Sequence, residues 1–187
     1  SAGVLQSYPA GEPIQPITAL LLLVSGIALV QGLRLKVRSA IGLALLTCGV
    51  VVAGWMLELA GQEPPMAVRL EGGGLPSIGR LATNVGFALL VCQLGVIGLA
   101  LRARRSVLPV VSWVAGLLVG AIAALGLAGH LLAMPDLQGW GGEQRMAAPT
   151  ALMLLPLGAA LILGGLVLQR DARIVDAVLP VLAGAVS

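Results

Sequence analysis

Glu58 and His130 are the residues of this chain whose type and setting most invite chemistry. Each ends a long apolar stretch, Glu58 one turn after Trp55 in GWMLELAG and His130 at the close of VAGLLVGAIAALGLAGH. An ionisable group at the margin of an apolar segment can bind a cation, relay a proton or hold a polar headgroup. The plainer alternatives are a carboxylate reaching interfacial water and a histidine hydrogen-bonded at an interface. His130 is the only histidine, so one copy of the chain has no second imidazole for a haem. No cysteine or carboxylate stands at metal-ligand spacing from it.

Hydroxyl and amide groups recur in a second pattern. Thr18, Thr83 with Asn84, and Thr150 occupy matching first-turn positions of three apolar stretches. There they can bond helix-start amides or the backbone one turn earlier, or line a polar pocket at the mouth of a bundle. No catalytic set accompanies them: no Ser/His/Asp or Cys/His grouping has plausible pairing, and no two carboxylates share a helix face. Gly72-Gly73-Gly74 lacks the Gly-Lys-Ser/Thr that completes a phosphate loop. Cys48 and Cys92 lie mid-stretch without a CxxC partner and read as small packing residues. The expectation is a chain with no intrinsic catalysis, no cofactor and no metal.

The elements that position these residues are apolar and long. Ile17–Leu33, Ser39–Ala60, Ser77–Leu101, Val107–Met134 and Pro149–Gln169 each approach or exceed the roughly 20 residues that cross about 30 Å of hydrocarbon. A sixth stretch starts near Ile174, and the chain, lacking an initiator Met, reads as a fragment. Basic clusters sit between alternate pairs: Arg34/Lys36/Arg38, Arg102/Arg104/Arg105 and Arg170/Arg173. They hold eight of the eleven Lys and Arg; the other three are Arg69, Arg80 and Arg145. This partition predicts three hairpins, approximately 17–60, 77–134 and 149–187, with every basic bend cytoplasmic and the longer loops outside. The fold expected is therefore all-α and integral to a membrane, a polytopic bundle in a single domain spanning residues 1–187. It has five full transmembrane helices plus a truncated sixth.

Composition agrees. Hydrophobic residues make up 58% of the chain and charged residues 10%, with a mean hydropathy of +1.03. A soluble domain carries about 25% charged residues. The net charge of +3 arises from the clustered bends, which suit anionic headgroups, so the lipid bilayer is the first partner. No basic stripe with interleaved aromatics is present, and nucleic acid is not expected as a partner. Gly116/Gly120 and Ala160/Gly164 supply small-residue steps for helix packing, which would also suit a homodimer.

An internal repeat runs through the hairpins. IQPITALLLLVSGIALV (14–30) and MAAPTALMLLPLGAALI (146–162) share Thr-Ala-Leu and a glycine eight residues after the threonine. A looser copy begins at Thr83-Asn84, giving a spacing of roughly 66 residues. These segments, RMAAPTALMLLPLGAALIL above all, together with GWMLELAG, resemble the repeated amino-terminal membrane region of bacterial PAS-containing histidine kinases and diguanylate cyclases. The third copy lacks the Pro-x-Thr-Ala-Leu core, and no PAS, kinase or cyclase sequence is present. The resemblance implies a sensory or anchoring input domain in the bacterial inner membrane, coupled to a cytoplasmic output domain elsewhere in the parent chain. A non-catalytic subunit of a membrane complex, or a small transporter-like protein, is the alternative.

Overall fold

In the computed structural model, residues 16–34, 36–60, 82–102, 108–138 and 145–185 are described, without the side chains of Glu58, Pro135 and 170–185. Six helices form: α1 (Pro16–Leu33), α2 (Val37–Leu59), α3 (Thr83–Ala100), α4 (Leu108–Leu131), α5 (Pro135–Gln138) and α6 (Ala148–Ala185). No strand occurs among the described residues. Five helices are long and apolar enough to cross a membrane, and α5 is not one of them. For α1, α2 and α4 the ends fall within three residues of the sequence expectation. Residues 77–81, expected to open the third helix, lie outside the described residues.

The helices alternate in direction. Gly32 near the end of α1 lies against Ala40 at the start of α2 and against Val96 and Leu99 near the end of α3. Gly98 near the end of α3 meets Leu108 and Ser112 at the start of α4. Gly164 of α6 reaches Leu33 and Leu99. Thus α1, α3 and α6 run one way and α2 and α4 the other. Arg34, Lys36, Arg38 and Arg102 gather at one end, called here the basic end. The close of α2, with Glu58, and the close of α4, with His130, lie at the opposite end.

Helix α3 is the central one. Of its spanning window 72% is buried, against 22% for α2. Leu89, Cys92, Val96 and Leu99 are wholly enclosed by α1, α2, α4 and α6. The outward surface is studded with exposed leucines such as Leu20, Leu45, Leu94 and Leu163, as a lipid-facing surface requires.

One expectation needs correction. The third basic cluster was expected to make a bend leading to a separate sixth helix, but α6 runs without interruption from Ala148 through Arg170 and Arg173 to Ala185, 38 residues. The physical reason is local. Gly32 sits in the last turn of α1 and Pro109 in the first turn of α4, each a natural punctuation. No glycine or proline occurs between Gly165 and Pro180, and the intervening Leu, Gln, Arg and Ala are good helix formers.

Candidate functional site

Helices α1 and α6 do not close on each other. Between them lies a groove of about 750 Å³ whose walls are almost wholly apolar. Ala19, Leu22, Leu23, Gly26, Ile27 and Val30 form one wall. Met153, Pro156, Leu157 and Ala160 form the other. The groove owes its depth to small residues: a methyl group built on Gly26 would have nothing within 4 Å. Leu33 at the basic end touches Gly164 and draws the two helices together there. The walls offer shape and hydrocarbon contact, and the groove can hold an apolar ligand.

Behind the groove α1 is fastened to α3 by a polar pair at mid-span. The Gln93 amide nitrogen donates to Ser25 Oγ at 2.6 Å, and Ser25 Oγ donates to the Leu21 carbonyl at 2.7 Å. Both side chains are fully buried. Gln93 Oε1 is buried and meets no donor. An unsatisfied buried acceptor costs about 1–3 kcal/mol, so this joint is held at a penalty on one of its two arms.

A second polar assembly closes the end opposite the basic one. His130 Nε2 lies 2.6 Å from the Met146 carbonyl oxygen, which can only accept, so Nε2 carries the proton. Asn84 donates to the Gln138 carbonyl at 2.8 Å, and that same oxygen accepts the Met146 N–H at 2.7 Å. Gln138 in turn donates to the Gly129 carbonyl at 3.0 Å. The starts of α3 and α6 are thereby tied to the end of α4 through α5. Helix α4 ends in a Schellman turn: Ala133 N–H bonds His130 O and Met134 N–H bonds Gly129 O. Ala133 takes φ 52°, a conformation that glycine adopts more easily. Gly129 lets α5 approach, since a methyl there would fall 2.9 Å from Leu137 Cβ.

The residues singled out from the sequence separate into several surroundings. His130 and Asn84 belong to this closing assembly. Asn84 also accepts the Val85 N–H at 2.9 Å, a bond to a helix-start amide. Thr18 and Thr150 are buried at the starts of α1 and α6, whereas Thr83 is exposed. Trp55 is half-buried and packs on the core from α2. Glu58 lies in the last turn of α2, and its side chain is outside the described residues. Cys92 is buried and Cys48 half-buried, and both are free thiols. Among the described residues no three His, Cys, Asp or Glu gather as a metal site would need.

Gln93, Ser25 and the groove escaped the sequence reading. A glutamine within FALLVCQLGVIGLAL is a visible signal, since a lone amide in an apolar span needs a partner. No family model, curated protein or solved structure matches the chain.

Proposed function

We propose that this domain is a transmembrane sensory and anchoring input domain of a bacterial signalling protein, set in the inner membrane with its basic end toward the cytoplasm. It couples a membrane or extracytoplasmic cue to an output domain elsewhere in the polypeptide. The observation that carries this reading is the unequal seating of α6: firmly packed on α4, loosely apposed to α1, and continuing as helix beyond the basic end. From Gly165 to Ala185 it extends by about 20 residues, roughly 30 Å. A cue that favours one seating of α1 over another shifts the position of α6, as any ligand-driven change requires different affinity for two states. The repeated Thr-Ala-Leu segments and the resemblance to sensor regions support the same assignment.

The test is to compare the native output domain joined to its complete membrane region with the soluble output alone. Activity is followed across bilayers of varied composition. Membrane-dependent activity and localisation are expected. Equal activity and equal localisation reject the reading, and solute uptake by vesicles holding the isolated bundle promotes the transporter-like alternative.

A further inference from the structure

We propose that the groove between α1 and α6 seats one acyl chain of an anionic phospholipid from the leaflet at the basic end, with the headgroup on Arg34 and Lys36 beside it. This stands whether the domain senses or only anchors.

Depth is the first argument. On α1 the groove runs from Ala19 to Val30, a rise of about 16 Å. That is roughly half of a hydrocarbon core about 30 Å thick, a length that one acyl chain can follow from the basic end past mid-span. Its volume of about 750 Å³ falls in the range of small-molecule sites.

Charge sets the direction. The Arg34 N–H bonds the Val30 carbonyl at 3.0 Å, so Arg34 continues the wall of the groove by one helical turn. Arg34, Lys36 and Arg38 are exposed, and none forms an ion pair among the described residues. No acidic residue occurs from Pro16 to Leu57. On α1 the other end of the groove opens beside Pro16, Ile17 and Thr18, which carry no charge, and on the facing side Arg145 stands eight residues before Met153, against four between Val30 and Arg34. A guanidinium matches the paired oxygens of a phosphate, so the polar terminus of the occupant belongs at Arg34.

The rim argues against a docked helix. Close helix seams are enriched in small residues on the approaching faces. Here Leu23, Ile27 and Met153 are exposed by 62%, 44% and 46% along the opening. Such side chains offer hydrocarbon contact along which a flexible acyl chain can lie.

The experiment is native mass spectrometry of the full chain released from bilayers containing equal phosphatidylglycerol and phosphatidylcholine of the same acyl composition. Retention of one phosphatidylglycerol per chain is expected. Arg34→Gln should lower the phosphatidylglycerol-to-phosphatidylcholine ratio about fivefold, the effect of one basic residue near a membrane surface. Gly26→Leu and, from the facing wall, Ala160→Leu should each remove the retained lipid, with cooperative thermal unfolding confirming a folded bundle. Equal retention of both lipids, unchanged by Arg34→Gln, overturns the headgroup assignment. Retention undiminished in both filled-groove variants overturns the groove. Disulfide-linked dimers formed by Gly26→Cys, with Cys48 and Cys92 changed to alanine, would instead seat a second copy there and overturn the lipid.

Discussion

Gly26 and Gly158 stand at one place in two copies of the same motif, eight residues after Thr18 and Thr150, yet their surroundings are opposite. A methyl on Gly158 would fall 2.8 Å from the Gly116 carbonyl oxygen and 3.0 Å from the Gly120 nitrogen, while one on Gly26 would touch nothing. The α4–α6 seam closes because small residues face each other from both helices. The α1–α6 cleft is open at Gly26, and its facing wall carries the bulkier Met153 and Leu157. The same glycine of the motif thus sits in a close seam in one copy and beside open space in the other. The two regions also differ in how they are fastened. The seam is clamped at the end opposite the basic one by α5, His130 and the Schellman turn, whereas the side-chain hydrogen bond described on α1's inner face is that of Ser25 with Gln93.

The sharpest break of this contrast places one substitution at both glycines. Gly158→Leu should destabilise the bundle by about 3 kcal/mol, because the atoms it meets are backbone and overpacking there has little room to relax. Gly26→Leu should change stability by less than about 1 kcal/mol, since the added side chain enters open space. Denaturant titration in mixed micelles measures both, and equal losses would erase the distinction between seam and cleft.

The Ser25–Gln93 bond of α1 gives the next effect. Ser25→Ala should cost about 1–2 kcal/mol by leaving the Gln93 amide nitrogen as unpaired as its oxygen. Combining it with Gln93→Leu should recover much of that loss, and a double-mutant cycle should give a coupling of about 0.6–1.7 kcal/mol. A coupling near zero would mean that the pair does not hold α1 in place.

At the clamped side, His130→Ala should cost about 1 kcal/mol through loss of the bond to the Met146 carbonyl. Hydrogen exchange should speed up in α5 and the start of α6 while the middle of α3 is unchanged. Uniform acceleration would deny His130 a local role. The smallest effect should be a gain: Ala133→Gly relieves the left-handed backbone and should add about 0.5–1 kcal/mol. A loss on that substitution would contradict the turn geometry.

The spans were legible because length and unbroken hydropathy specify them almost alone. The end of α6 is not legible in the same way, because the charge of Arg170 and Arg173 suggests a bend while nothing nearby interrupts helical backbone. His130 and Asn84 were legible as polar groups at helix margins. Their partners were not, since Gln138 and Met146 reach them only through a four-residue helix too short to announce itself. The groove was illegible for a different reason. It is set by how α1 and α6 are spaced, and the matching motifs at Gly26 and Gly158 predict the same packing for both.

The unbroken course of α6 makes angular phase a property of whatever follows the bundle. Each residue of a helix turns the chain by about 100° and advances it 1.5 Å. One residue inserted after Gln169 would present a different side of the helix beyond that point, whereas seven would restore the original facing to within about 20°. A bend or flexible joint at Arg170 would absorb either change. In the continuous helix, the orientation fixed where Gly158 meets Gly116 is carried past Arg170 and Arg173 as far as Pro180, where a missing N–H lets the helix kink.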